Sequence, residues 1–361
     1  MTDLGLLLLA GLNAEWLMGS LLGVMIGLAL LALGFGLITV FLRARNDGRA
    51  SHFGDAERFW TPHILDALED PDSIQELAAG VPARDREAYL RTLFRLAVRI
   101  RGIEQVRIEA LARPHLHLTE RMLRDSRPEE RAQAVRTLGT LDPASHREAL
   151  LHSLKDPSPL VAMTAARALC RPDDPEALER VLRTMERFEW WSRGFLASIL
   201  AGAGAEASEV LRGILADPSA SISLRAVAAE TLTRLDDLDA ASVAASVLES
   251  SEGIDIRVSC LHLLAATGRP EHVELVRRLT SDPAFPVRAA AFRALGQLGG
   301  RADLDLLAEG MATDPSPWAA LRAGQALLAA GGRHILEAEA TRDDPMGTLA
   351  RQALSEAGVL G

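Results

Sequence analysis

Histidine and cysteine are the side chains here best suited to hold a metal, act as a base or serve as a nucleophile. The chain has nine of the first and two of the second. His115 and His117, in "PHLHLTE", stand two residues apart. On a helix that spacing turns them to different faces, whereas a shared metal needs i, i+3 or i, i+4 neighbours. No H-E-x-x-H is present, and these histidines are expected at the surface or at an interface. Cys170 and Cys260 lie within the apolar runs "ARALC" and "VSCLHLL". They read as small buried thiols, not as a disulfide frame or a metal site. "AGAGAEA" at 201–207 imitates a phosphate-cradling glycine loop. It succeeds a helical pattern, however, whereas such loops succeed a strand. Neither a P-loop nor G-x-S-x-G occurs. No catalytic residue, metal ligand or cofactor-binding residue is assigned, and no cofactor is expected.

Two clusters carry a different chemistry, that of recognition. "RFEWWSRGF" gathers Phe188, Trp190, Trp191, Arg193 and Phe195 in a chain only 4% aromatic. Tryptophan and arginine concentrate binding energy at protein interfaces, so these five are candidate protein-binding residues. Core packing between helices is the alternative. From Arg84 to Arg113, eight arginines face four acids. They form either a solvated face or a contact with anionic lipid headgroups, each worth about 1 kcal/mol at a membrane surface.

The N-terminal region must position these clusters. From Trp16 to Leu42 no residue is charged, a run of 27. About 20 suffice to cross a hydrocarbon core, and a cleaved signal would carry a basic start and a shorter apolar run. Residues 16–42 are therefore expected to form a transmembrane helix, preceded by a short extracytoplasmic segment, 1–15. Arg43, Arg45 and Arg49 come directly after the run and no basic residue precedes it. That asymmetry places the N-terminus outside and the rest in the cytoplasm, in the inner membrane of a bacterium. The three arginines are candidate lipid-headgroup contacts within a juxtamembrane linker, 43–57. Gly19, Gly23, Gly27 and Gly34 fall on one narrow stripe of the helix. Such a stripe lets two membrane helices pack closely, either between two copies of the chain or with a partner.

Composition sets the fold class and excludes one kind of partner. Alanine and leucine dominate, which suits an all-α fold. Net charge is −10, and from Ala201 onward 14 arginines face 22 acids. That balance repels phosphate backbones and argues against nucleic-acid binding.

One phrase recurs along the chain. "LKDPSPLVAMTAARALC" begins at Leu154, "LADPSASISLRAVAAETL" at Leu215, "LTSDPAFPVRAAAFRALG" at Leu279 and "MATDPSPWAALRAGQALL" at Met311. The aspartates at 156, 217, 282, 314 and 344 are spaced 61, 65, 32 and 30 apart. Degenerate members near 187 and 252 fill the double gaps, giving a period near 31, the mark of a helical solenoid. Each aspartate is expected to N-cap the next helix, with proline at its first position. Alanines such as Ala289, Ala290, Ala291 and Ala294 allow close helix approach. "DPAFPVRAAAFRALGQLG" from Asp282, with Val287-Arg288 and Leu295-Gly296, resembles HEAT repeats of the short type also seen in phycobilin lyase relatives. Ile256 and Arg257 keep the apolar–Arg element, while Arg225 and Arg322 sit two residues late. The resemblance covers roughly 58–360. It implies an α-solenoid of about eight or nine helix pairs over 58–361 that acts as an interaction scaffold. A membrane-tethered adaptor for protein partners of a membrane complex is the function expected. A HEAT-type lyase or hydroxylase, or a nucleic-acid-binding solenoid, is the alternative.

Overall fold

The computed structural model describes residues 54–358 apart from 101, 173, 186, 188–190 and 251–252. Nearer the N-terminus it describes residues 22–23, 25–28, 30–37 and 39. No strand occurs among the described residues. The chain divides into two compact units, Met1–Leu116 and His117–Gly361. The boundary lies inside the stretch read from the sequence as one array.

In the first unit α1 covers 54–69, α2 Ile74–Ala79, α3 Arg86–Ala97 and α4 Ile103–Ala112. Ile64, Tyr89, Leu93, Ile108 and Leu111 are fully buried and form its core. Trp60, Tyr89 and His115 run edge to face through it, with ring centroids 5.2 and 5.6 Å apart. His115, expected at the surface or at an interface, is buried in the core of its unit, and its Nε2 lies 2.9 Å from the Ala78 carbonyl oxygen. The neighbouring aromatic rings and this local acceptor explain its place: the imidazole is core with a satisfied polar edge. Several of the arginines between 84 and 113 also find partners within their own unit. Arg95 pairs with Glu57, Arg91 with Glu87 at 3.0 Å, and Arg107 donates to the Leu68 carbonyl.

Among the described residues no single helix is long and apolar enough to cross a membrane. A shorter apolar helix, Met25–Leu37, lies among them. Its large side chains are exposed, and nothing lies within 4 Å of a Cβ built on Gly23, Gly27 or Gly34. Gly19, Arg43, Arg45 and Arg49 lie outside the described residues.

The second unit contains eight helix pairs among its described residues. They are α5 and α6 (His117–Met122, Pro128–Leu141), α7 and α8 (Arg147–Ser153, Pro159–Leu169), and α9 and α10 (Pro175–Met185, Arg193–Leu200). Next come α11 and α12 (Ser208–Ala216, Ile222–Arg234), and α13 and α14 (Ala240–Ser250, Ile254–Thr267). The last are α15 and α16 (Val273–Leu279, Phe285–Leu298), α17 and α18 (Leu304–Thr313, Pro317–Ala329), and α19 and α20 (Arg333–Glu339, Pro345–Glu356). Each even-numbered helix other than α10 packs on its own odd partner, and each from α6 to α18 packs on the next even helix, so the even helices make a continuous layer. Small residues set their spacing. A Cβ on Gly296 of α16 would lie 2.7 Å from the Ala326 Cα of α18. Gly139 of α6 sits equally tightly against Ala168 of α8. Ala289, Ala290, Ala291 and Ala294 are all buried, as expected.

The Asp-Pro turns work differently from the capping expected of them. Of the aspartates at 156, 217, 282, 314 and 344, only Asp344 is an N-cap, accepting the Gly347 N–H at 2.9 Å with Pro345 at the first helical position. Asp156, Asp217, Asp282 and Asp314 stand two or more residues earlier. Each accepts a backbone N–H from the residue two positions on, at 2.8, 2.8, 2.9 and 2.8 Å. The cap position passes to Ser158, Ser221, Ala284 and Ser316. This Asx-type turn leaves carboxylate lone pairs free for another partner.

Candidate functional site

That partner is an arginine from the preceding repeat. Arg131 donates through Nε and Nη2 to both oxygens of Asp156, each at 2.8 Å. Arg288 does the same to Asp314 at 2.7 and 2.8 Å. In both cases Nη1 reaches back to two carbonyls of its own turn, Asp125 and Ser126 or Asp282 and Pro283. Arg257 pairs with Asp282 through Nη2 alone. The guanidinium forks hold the Asp156 and Asp314 carboxyls below the usual carboxylate range. A second series joins odd helices to the next repeat: Arg147 to Asp174, Arg212 to Asp237 and Arg277 to Asp303. These aspartates are structural links.

The aromatic cluster lies where the links of the even layer lapse. Ala162 of α8 occupies the place held by Arg131 on α6 and Arg288 on α16, six residues after the turn aspartate. Arg193, at the start of α10, reaches past α12 to α14. Its Nη2 is 3.8 Å from Asp255 and its Nη1 3.5 Å from Ser259 Oγ. Asp217, left without an arginine, accepts the Ser219 hydroxyl at 2.7 Å. Trp191 and Phe195 stack with centroids 4.9 Å apart, both half-buried, beside the exposed Arg193. Of the five candidate binding residues the structure thus brings Trp191, Arg193 and Phe195 together. Phe188 and Trp190 lie outside the described residues.

Sequence reasoning missed the larger pattern to which Trp191 belongs. Leu160, Ile222, Ile254, Phe285 and Trp318 are between 46% and 54% exposed, each at the first or second position of an even helix. With Trp191 they stand at 160, 191, 222, 254, 285 and 318, spaced 31, 31, 32, 31 and 33 apart. Six consecutive repeats, α8 to α18, therefore show one large apolar side chain at the same edge. Neighbouring helices pack roughly 8–10 Å apart, so the row extends over some 40–50 Å. Glu129, one period before Leu160, ends the row on α6. On α18 the Arg322 guanidinium lies 4.7 Å over the Trp318 ring, an i, i+4 pairing like that of Trp191 with Phe195. For Leu160, Ile222, Phe285 and Trp318 the signal was in the sequence as the residue three to five places after a turn aspartate; Trp191 and Ile254 belong to repeats without one.

Other groups are held in place rather than offered for chemistry. A cleft of about 650 Å³ is lined by Glu120, His146, His152 and Lys155. Both His146 nitrogens are engaged there, with Glu120 at 2.9 Å and the Asp142 carbonyl at 2.8 Å. Cys170 and Cys260 are free and buried, as read from the sequence, and burial pushes both thiols up to about 12. Among the described residues no three metal-ligating side chains come together.

The sequence model of HEAT repeats matches residues 116–187 and 242–328. The match falls in two blocks, separated by the stretch that holds α10 to α12. Several solved structures are similar. The complex of CpcE and CpcF of phycocyanin lyase from Nostoc is 21% identical, over 67% of this chain and 87% of that one, at a TM-score of 0.32. Karyopherin Kap121p bound to the extreme C-terminus of the protein phosphatase Cdc14p is 12% identical, over 81% of this chain and 43% of that one, at 0.36. Human deoxyhypusine hydroxylase in complex with glycerol is 19% identical, over 74% and 98%, at 0.32. No curated protein matches the chain.

Proposed function

We propose that this chain is a membrane-tethered scaffold that binds protein partners along its helical repeats and assists a membrane-associated complex without catalysing a reaction itself. The observation that carries this reading is the apolar row at the N-terminal edge of the even helices. Exposed apolar patches of this extent mark interaction sites on soluble domains, and a stack of repeats offers an extended surface suited to a partner. The tether rests on the uncharged 16–42 stretch. Arg43, Arg45 and Arg49 then lie against cytoplasmic headgroups, and the repeats face the cytoplasm. The stripe of Gly19, Gly23, Gly27 and Gly34 supplies contact with a second copy or with a partner's membrane helix.

The test is capture of partners from solubilised membranes by the full-length chain, with Trp191→Ala and Trp318→Ala compared in parallel. Loss of the same partner in both variants, with the melting transition of Trp318→Ala unchanged, is the expected result. Equal capture by both variants and the parent would contradict the reading. A C-terminal reporter fusion active only outside the cytoplasm would contradict the topology.

A further inference from the structure

A second row runs beside the first. Arg136 on α6 and Arg167 on α8 are 31 residues apart; Glu230, His262 and Arg293 succeed them on α12, α14 and α16, themselves 32 and 31 apart. From α8 to α16 each position lies seven or eight residues along its helix from an apolar-row position, roughly 10–12 Å, and Arg136 lies seven from Glu129. Nearly every other arginine on the even helices is already engaged, in forks to aspartate or, for Arg234, with Glu230 at 3.1 Å and, for Arg225, with the Leu215 carbonyl. Arg136, Arg167 and Arg293 are exposed and make no ion pair with any described residue. Of the acids on the same face, Glu230 is engaged by Arg234 and Asp255 by Arg193, and Glu129 stands at its α6 end. His262, half-buried at the middle of the row, is held below the ordinary histidine value by burial and by Arg293, against an opposing contribution from Glu230 and with smaller lowering ones from Arg193 and Arg322. In a chain of net charge −10, this face carries unanswered positive charge next to an unanswered apolar edge.

We infer that the occupant of this face is an extended acidic protein segment. Its bulky apolar side chains meet the row from Leu160 to Trp318, and its carboxylates meet Arg136, Arg167 and Arg293. This rests on the scaffold reading above and adds the partner's chemistry. The spacing fits such a segment. An extended chain rises about 3.3 Å per residue, so three residues cover the roughly 10 Å from one helix to the next. Every third side chain then reaches a new repeat. Apolar contact supplies the adhesion, and the arginines select acidic partners over basic ones.

The experiment pans a displayed library of random 16-residue peptides against the full-length chain in lipid nanodiscs. Selected peptides are then measured on Arg167→Glu/Arg293→Glu, Arg167→Lys/Arg293→Lys and Phe285→Ser/Trp318→Ser chains. Asp and Glu, together with Leu, Phe or Trp, should be enriched in the selected set. Charge reversal should weaken binding about tenfold or more, the lysine chain should stay within about threefold, and the serine chain should also lose affinity. All four side chains are exposed, so each variant's melting transition should match the parent. Enrichment of basic or uncharged peptides, no enrichment at all, or binding indifferent to charge reversal would overturn the inference. So would quenching of Trp318 fluorescence by brominated lipid, which makes the row a lipid contact. Failure here with partner capture intact would remove the acidic occupant alone, and loss of partner capture would remove the scaffold reading as well.

Discussion

The repeats from α14 to α18 and those from α8 to α12 share one helix-pair plan and are held together differently. From Arg257 to Asp314, consecutive even-layer turns are joined by guanidinium–carboxylate pairs, and Gly296 lets α16 and α18 close up. From Asp156 to Arg257 the even layer has no such link among the described residues. Ala162 replaces the arginine, Arg193 reaches two repeats ahead, and Asp217 turns to its own Ser219. The HEAT match lapses over much the same stretch, 188–241. Stability in a repeat array is close to a sum of nearest-neighbour terms. One repeat can therefore give up its links at local expense and keep the fold. The looser repeat presents the Trp191–Phe195 pair with Arg193 instead.

The largest expected difference between the regions is steric. Gly296→Ala would press a methyl onto the α18 backbone, with only backbone and Ala326 to yield. It should cost about 2–3 kcal/mol in chemical denaturation. Gly194→Ala on α10 meets the far end of the Arg234 side chain at 3.3 Å, and should stay within about 0.5 kcal/mol. Equal costs would mean that the two regions are packed alike.

Removing links comes next. Arg288→Ala strands the buried Asp314 carboxylate and should cost about 1.5–3 kcal/mol. Arg193→Ala, on a half-exposed side chain, should barely move the transition. The aromatic pair ranks third. Trp191→Ala should cost about 1–2 kcal/mol for its half-buried ring. Trp318→Ala loses an exposed cation–π contact and should cost less than about 1 kcal/mol.

The smallest effect is in the pH dependence. Asp156 and Asp314 have folded pKa values below the unfolded value of about 3.9. Their contribution is complete above about pH 5 and is lost as pH falls through the folded values. Thermal melts between pH 5 and 3 should show this loss. Arg288→Gln should flatten that limb, and Arg193→Gln should leave it unchanged.

Much of the architecture was legible in the turns. Asp-Pro at a period near 31 located the helix pairs, because a turn constrains residue type at a fixed place in each repeat. The role of those aspartates was harder to read. Capping is a local property, whereas the forks join residues 25 or 26 apart, and only the stacked fold brings Arg131 to Asp156 or Arg288 to Asp314. His115 was misplaced for a similar reason, since Ala78 and Tyr89 become its neighbours only on folding. The aromatic cluster was noticed because its residues are adjacent in sequence. The row that contains Trp191 was not, because Leu160, Ile222, Ile254, Phe285 and Trp318 share a position rather than a residue type.

Site-specific photo-crosslinking in intact cells tests the central claim most directly. A photoreactive phenylalanine analogue would be placed at Phe285 or Trp318 on the row, and at the equally exposed Leu238 off it. Adducts with the same protein from both row positions, and none from Leu238, are predicted. Adducts with lipid alone, or equal protein adducts from all three positions, would contradict a protein-binding edge.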